Sequence, residues 1–319
     1  MQMERRRVGT IAQESSLLGL GCWAFGGSQW GGQEDEDSCS AILAALDSGV
    51  NHLDTAQGYG SGRSEKVVGT LMPANRERVF LATKMFVGEL TPEAALKSVE
   101  VSLSRLATDS IDLFYIHWPR TGKDLRPIMT GLEMARSQGK IHGIGVSNFS
   151  VEQMEQVMEV GTIDGYQVGY SLFWRWPERD IMPFCREHGI SLITYSSIAQ
   201  GILTGKFGPN PSFPEDDQRK GNVLFDPAVY PHLYEGVEQM KKVAEDAGRP
   251  LVELAIRWCS AQPGVASVLV GARNAGQVHA NLRAMDGDIS PATMARLTAI
   301  SDEVHQKIPN TGNIFRFYP

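Results

Sequence analysis

Short apolar runs and amphipathic stretches alternate along this chain from residue 17 almost to its end. The runs at 17–22, 50–54, 79–83, 111–117, 141–146, 165–169, 191–196 and 267–271 are rich in β-forming residues and predict strands. Segments near 38–48, 64–72, 92–106, 127–138, 152–160, 178–188 and 232–247, with a further one at 251–261, carry the helical spacing. Several boundaries have a local cause. Thr91-Pro92 offers a hydroxyl cap followed by proline at the first helical position, and Ser150 with Gln153 has the spacing of a capping box. Gly139 and Gly189 fall just past helix ends, where the chain often turns left-handed.

Eight strand–helix units without a break in composition predict an α/β fold, a (β/α)8 TIM barrel, rather than a doubly wound sheet. No GxGxxG follows the first strand, since Gly19-Leu20-Gly21 runs into Cys22-Trp23 and not into a helix. Residues 4–12 are expected to form a β-hairpin closing the bottom of the barrel. The segment 198–230, after the seventh strand, is too long for a simple connection and is expected to be a functional or mobile loop. A helix over 291–305 and a tail over 306–319 stand outside the eightfold pattern. No linker separates them, so residues 1–319 are expected to form a single domain.

Composition narrows the function without naming it. A chain of 319 residues with 42% apolar and 21% charged residues can bury one large core. A net charge of −7 with no polybasic stretch argues against nucleic acid or an anionic membrane as partner. Arg5-Arg6-Arg7 is too short to change that and is expected on a solvated edge strand. No apolar run is long enough for a membrane span and the start is polar, so the expected location is the cytoplasm, with a homo-oligomer left open. Cys22, Cys39, Cys185 and Cys259 form no CxxC pair and no metal-ligand cluster, which predicts reduced thiols and no metal; a reactive Cys22 at a strand end is left open.

The candidate chemistry lies at strand ends, where barrels build their active face. Asp54, Lys84 and His117 each close an apolar run, and Tyr59 follows Asp54 in the next loop. A free phenol is a poor proton donor at neutral pH, and a nearby ammonium stabilises its phenolate. A buried Lys84 tends to lose its proton unless a carboxylate is at hand, and Asp54 can supply one. His117 can orient a carbonyl oxygen or relay a proton.

The segments Asp54-Thr55-Ala56-Gln57-Gly58-Tyr59-Gly60, Thr83-Lys84, Ile116-His117-Trp118-Pro119 and Gly145-Val146-Ser147-Asn148-Phe149 resemble the signatures of the aldo-keto reductase superfamily. The similarity runs in order over essentially the whole chain. Gly58-Tyr59-Gly60-Ser61-Gly62 and Gly201-Ile202-Leu203-Thr204-Gly205-Lys206-Phe207 resemble the bacterial branch of general-stress and glyceraldehyde-type reductases, close to the potassium-channel β subunits. The resemblance implies hydride transfer between a nicotinamide and an aldehyde or ketone, with no metal. Tyr59 is then the general acid, Lys84 and Asp54 lower its pKa, and His117 positions the carbonyl. Ser147, Asn148 and Gln167 match positions that hold the carboxamide, and Tyr195 matches the aromatic under the nicotinamide ring. Ser196, Ile198, Gln200, Gly201, Leu203 and Lys206 match the loop over the pyrophosphate. Gly271, Arg273, Gln277 and Asn281 match the segment around the adenosine and its 2′-phosphate.

Two departures bear on the nucleotide. Gly271-Ala272 stands where many members have Lys-Ser, and Gln277 where an Arg is frequent; Arg273 compensates in part, so NADP(H) is expected with NAD(H) as an alternative. Aromatics in the first strand–helix loop, Trp23, Phe25 and Trp30, would be costly if exposed and suggest a cavity wall. Trp23, Phe86, Trp118 and Trp174 are placed around Tyr59, giving a pocket for a carbonyl or alcohol with an apolar body. Arg120 or Arg175 is a candidate for a substrate carboxylate. The tail, with Phe315, Phe317 and Tyr318, is expected over the active face. Two other functions compete: a cofactor-binding regulatory subunit with slow turnover, and a lyase or isomerase that uses Lys84 as a Schiff base. The first lacks a basic or amphipathic N-terminal extension. The second conflicts with the Asp54 pairing.

Overall fold

Eight parallel strands hydrogen-bond in the cyclic order β10-β3-β4-β5-β6-β7-β8-β9 in a computed structural model that describes residues 3–27, 32–215 and 217–316. They are β3 (Leu18–Gly21), β4 (His52–Asp54), β5 (Phe80–Met85), β6 (Ile111–Ile116), β7 (Ile141–Ser147), β8 (Gly165–Gly169), β9 (Ser191–Tyr195) and β10 (Val265–Gly271). The N-terminal pair β1 (Arg5–Arg6) and β2 (Ser15–Ser16) is antiparallel. Its second strand lies beyond the expected 4–12, because Ser16 and Asn51 exchange bonds that tie this stretch to the start of β4. The loop between the two strands inserts Val8 and Ile11 into the barrel, where they pack with Phe80, Leu113, Ile193 and Ala266. The bottom of the barrel is thus closed by side chains of the hairpin loop. Asp164 fixes that loop, accepting from Thr10 N at 2.9 Å, Ile144 N at 3.0 Å and Arg136 Nη1 at 3.1 Å.

The helices are α1 (Asp35–Asp47), α2 (Arg63–Gly69), α3 (Met72–Asn75), α4 (Pro92–Leu106), α5 (Arg126–Ser137), α6 (Val151–Met158), α7 (Ile181–Glu187), α8 (Tyr230–Asp246), α9 (Leu251–Ser260), α10 (Ala275–Leu282) and α11 (Pro291–His305). Their starts follow the expected chemistry. Thr91 Oγ1 caps α4 at Ala94 N, and Ser150 and Gln153 form both bonds of the capping box at α6. α7 begins later than expected because Asp180 caps Ile181 N. α10 was absent from the expected helices. Its buried face is a single residue, Val278, too little to show a helical period, and its start is set by Asn274, which accepts from Gln277 N. The segment 198–230 is ordered by an aromatic cluster of Phe207, Phe213, Phe225 and Tyr230, with the Arg219 guanidinium 4.3 Å above Phe213.

Strand alternation decides what faces the barrel axis. Phe80 and Ala82 pack inside, so Lys84 continues that row upward; Leu113 and Tyr115 do the same for His117. His52 and Asp54 form the matching row on β4. The apolar layers at the bottom therefore end in a polar layer at the strand mouths. Trp30, Phe317 and Tyr318 lie outside the described residues. Among the described residues, no helix is long and apolar enough to cross a membrane and no cluster of His, Cys, Asp and Glu could hold a metal.

One buried group in the lower layer makes the fold sensitive to acid. His52 is fully buried, bonded through Nδ1 to Ser15 Oγ and Ser267 Oγ, and burial pulls its pKa from 6.5 to about 3. The unfolded chain binds this proton below about pH 6.5 and the folded chain does not, so stability falls as pH drops from about 6.5 towards 3. The slope from this residue alone approaches about 1.4 kcal/mol per pH unit. Urea unfolding of His52→Gln at several pH values should show a shallower loss than wild type below pH 6; parallel curves would remove His52 as the cause.

Candidate active site

Lys84 is the centre of the polar layer. Its side chain is fully buried, and its Nζ donates to Asp54 Oδ1 at 2.5 Å, Thr55 O at 2.8 Å and Tyr59 Oη at 3.3 Å. The three protons of an ammonium thus meet three acceptors. Burial lowers Lys84 and raises Asp54 from their ordinary values, and the contact between them opposes both shifts. Asp54 also accepts from Gln167 Nε2 at 2.7 Å, so both carboxylate oxygens are engaged. Donating to three acceptors, Lys84 is held as an ammonium, which has no lone pair to attack a carbonyl as a Schiff-base amine must.

Because Lys84 donates to the phenol oxygen, the Tyr59 proton points elsewhere. Burial, with Asp54 and Cys22 adding to it, pushes the Tyr59 pKa well above its ordinary value. This differs from the depression expected from Lys84 and Asp54: exclusion of water, with the Asp54 carboxylate adding to it, favours the neutral phenol, and Tyr59 holds its proton at neutral pH. His117 stands edge-on to Tyr59 with ring centroids 5.8 Å apart. Burial and the Lys84 charge hold its pKa well below the ordinary value, so the ring is neutral, and its Nδ1 is buried without a partner among the described residues.

Tyr59 is placed by the contact of two backbones. A Cβ on Gly60 would stand 2.2 Å from Gly26 O, and one on Gly26 would stand 2.6 Å from Gly60 N. Two glycines therefore let the first strand–helix loop and the tyrosine loop touch. Ser64 Oγ donates to Cys22 O at 2.8 Å and Cys22 N to Asp54 O at 2.8 Å, stapling the same two loops. The Cys22 thiol is fully buried, and burial pushes its pKa up, which answers the question of a reactive thiol against it.

The expected pocket wall is assembled with one exception and one gain. Trp23 stacks beside Tyr59 at 5.8 Å, Phe86 lies 4.8 Å from the His117 ring and Trp118 lies 6.0 Å from it. Trp174 does not join them. The Ser171–Trp174 bridge folds it back into the core at 2% exposure, and no ring contact among the described residues links it to this group. Phe25 is fully buried under its loop rather than in the wall. The gain is Phe315, centred 5.7 Å from Trp23, 6.3 Å from Trp118 and 6.2 Å from Tyr195. The tail thus lies over the active face, tied to the 218–226 segment by Val223 N donating to Ile314 O and by the Arg316–Asp226 pair. Arg175 is held by Glu178 and Asp302, away from a substrate role.

The residues expected around a cofactor lie on β7 to β10 and their loops. Asn148 donates to Ser147 Oγ and to His117 O, and accepts from the Tyr195 hydroxyl at 2.7 Å. Gln167 pairs across the sheet with Ser147. In the next loop Ser196, Ala199 and Gln200 are left-handed at φ of 53°, 49° and 56°, each costing about 1 kcal/mol or more. Gln200 bonds Ser196 Oγ through Nε2 while its Oε1 is buried without a partner; Ile198 is half-buried, Leu203 buried and Lys206 exposed beside Phe207. In the last segment Gln277 Oε1 accepts from Arg273 N and Asn281 Nδ2 donates to Gly271 O. The Arg273 guanidinium bonds Gln33 Oε1 at 2.9 Å and Gly32 O. Gln33 escaped the sequence reading, as did Tyr115, a buried phenol in register with Lys84 whose ring fills the space left by Gly145. Alternation along Leu113-Phe114-Tyr115 was the signal for Tyr115; nothing in the sequence marks Gln33.

A closed eight-stranded barrel with a buried lysine–carboxylate pair behind a phenol and a neutral imidazole gathers groups able to move a proton at the strand mouths. Comparison with known proteins places it further. Residues 17–302 match the aldo/keto reductase family. The chain is 38% identical to Aldo-keto reductase YhdN of Bacillus subtilis over 87% of each chain. It is 30% identical to the NADH-specific methylglyoxal reductase of Escherichia coli, covering 95% of this chain and all of that one. The structure of the glycerol dehydrogenase from Gluconobacter oxydans superposes with a TM-score of 0.85 at 34% identity, over 97% of this chain and 98% of that one. The chain belongs to the aldo/keto reductase family, whose members carry out carbonyl oxidoreduction with nicotinamide cofactors.

If the glycine contact sets the phenol, Gly60→Ala should lower turnover roughly a hundredfold, the scale of a 1 Å misplacement. Its melting temperature should fall by only a few degrees, about the effect of 1–2 kcal/mol. Steady-state kinetics beside a thermal melt checks this; wild-type turnover in a folded variant would detach the contact from activity.

Proposed function

We propose that the chain is an NADP(H)-dependent oxidoreductase that reduces aldehydes and ketones to alcohols, or runs the reverse reaction, with Tyr59 as general acid and base. The observation that carries this reading is the chain of contacts from Asp54 through Lys84 to Tyr59. The phenol keeps its proton at rest, and the Lys84 ammonium at 3.3 Å is in place to stabilise the phenolate left after donation. Neutral His117, with an unpartnered Nδ1 at the same mouth, orients the carbonyl oxygen towards Tyr59. Trp23, Phe86, Trp118 and Phe315 hold the apolar body and limit water.

A bound nicotinamide supplies the hydride. Ser147, Asn148 and Gln167 are suited to its carboxamide, since each presents amide or hydroxyl groups on adjacent strand ends, and half-buried Tyr195 offers a ring face. The loop of Ser196, Ile198, Gln200, Gly201, Leu203 and Lys206 suits a pyrophosphate: it is held in a strained left-handed form, has an unsatisfied Gln200 oxygen and carries an exposed cation. Gly271, Arg273, Gln277 and Asn281 face the adenosine. Arg273 is the group that distinguishes NADP from NAD, but its bonds to Gln33 and Gly32 must give way in part for a bidentate grip, which keeps the preference modest.

Tyr59→Phe should bind nucleotide as wild type does yet lose most carbonyl reduction, because only the hydroxyl is removed. Lys84→Met should be at least as damaging and should shift the pH profile of kcat/KM. Following oxidation of the reduced nucleotide at 340 nm with an aldehyde panel checks both; near wild-type kcat/KM in Tyr59→Phe would remove its assigned role.

Arg273→Ala should weaken NADPH about tenfold, the equivalent of one charge-assisted bond of about 1.5 kcal/mol, and leave NADH almost untouched. Nucleotide-fluorescence titration decides it. Equal loss for both nucleotides, or equal wild-type affinity, would overturn the assignment.

A further inference from the structure

Beside the tetrad, and sharing Phe86 and Trp118 with the pocket wall, lies an open hollow of about 350 Å³ that also reaches Arg120, a candidate for a substrate carboxylate. It is built by the loops that follow β5 and β6, and its wall includes Phe86, Val87, Trp118, Pro119, Arg120 and Lys123. In the closed strand order these two strands stand across the barrel from β9 and β10, so the hollow is on the side away from the loops assigned to the pyrophosphate and the adenosine. Its inner wall is shared with the active site, since Phe86 and Trp118 are also the rings that flank His117. A substituent on a carbonyl held at His117 and Tyr59, if directed towards Phe86 and Trp118, faces the two rings that also line the hollow.

Phe86 is 50% exposed and is the only aromatic among the exposed large hydrophobics of the described residues. Its ring is pressed against Gly58, where a Cβ would stand 2.1 Å from Phe86 Cε2, so the exposure is built in rather than a loose side chain. An aromatic fixed in water at the mouth of a site is a surface for a flat apolar group. The outer rim is cationic. Arg120 Nη1 donates to Gly88 O at 3.0 Å, which steadies the guanidinium and leaves other N–H groups of its fork for a ligand. Among the described residues neither Arg120 nor Lys123 forms an ion pair, while the neighbouring Asp124 is taken up by Arg126. Two unneutralised cations share this rim in a chain whose net charge is −7.

We infer that the hollow is a distal substrate subsite selecting carbonyl compounds that carry a carboxylate beyond a short, flat apolar body. The body lies between Phe86 and Trp118, and the carboxylate meets Arg120 with Lys123 beside it. The inference rests on the carbonyl-reductase reading of Tyr59 and His117, and the test separates the two.

The test compares 4-carboxybenzaldehyde with 4-methylbenzaldehyde, which differ at the far end of the same ring, in wild type, Lys123→Gln and the double variant Arg120→Gln/Lys123→Gln. The readout is the ratio of their kcat/KM values. Wild type should favour the carboxylate by about tenfold or more, the scale of a charge-assisted contact, and the preference should shrink as salt rises. Lys123→Gln should reduce the ratio, and the double variant should bring it near one. A wild-type ratio near one, or a ratio unchanged in the double variant, overturns the subsite. Should neither aldehyde be reduced, the reading of Tyr59 and His117 fails instead. Calorimetric titration of 4-carboxybenzaldehyde then decides the subsite: binding lost in the double variant supports it, and binding absent from wild type or equal in both proteins overturns it.

Discussion

A charged lysine inside a barrel is the constraint around which the upper half of this molecule is arranged. Desolvating an ammonium costs several kcal/mol, and Lys84 is stable there only because Asp54, Thr55 O and Tyr59 Oη meet all three of its protons. Asp54 is fixed in turn by Gln167 from the far side of the barrel. Removing one member of such a pair leaves the other charge buried alone, at about 3–5 kcal/mol. The pair therefore ties β4, β5 and β8 together at their mouths while it sets the electrostatics of the phenol. Stability and chemistry rest on the same few atoms.

The hydroxyl that this pair serves is positioned by backbone packing. Gly26 and Gly60 bring two loops into contact that any side chain would force apart, and the Ser64 and Cys22 bonds hold them there. Aromatic rings complete the enclosure from separate parts of the chain, with Phe315 brought in by a tail that is pinned to the 218–226 segment. That segment, which follows the strained loop at 196–201, is thereby tied to the ring above the active face.

Much of this was legible in the residues. Strand after strand begins and ends within two residues of its expected limits, because a parallel barrel strand is a short apolar run closed by turn residues. Asp54, Lys84 and His117 were readable for a related reason, since a polar group closing an apolar run is conspicuous; Tyr59 and the family were readable from the resemblance of whole segments. Where the reading failed, the missing information was spatial. Trp174 was placed in the pocket on residue type alone, and a bridge three residues wide folds it into the core. Helix α10 has a single buried residue, so it left no period to detect. The expected fall in the Tyr59 pKa followed from naming its neighbours, but the shift depends on how completely water is excluded.

The sequence by itself determined the order of strands and helices, the inward rows that end in Asp54, Lys84 and His117, and the family to which the chain belongs. Those properties are periodic or local, and a chain carries them in its spacing. Only the tertiary structure decided that Arg273 is engaged by Gln33, that the tail sets Phe315 beside Trp23 and Trp118, and that Arg120 and Lys123 share a rim without ion pairs among the described residues while Arg175 is neutralised. These depend on contacts between residues far apart along the chain, where burial and distance set the energy and residue type alone does not.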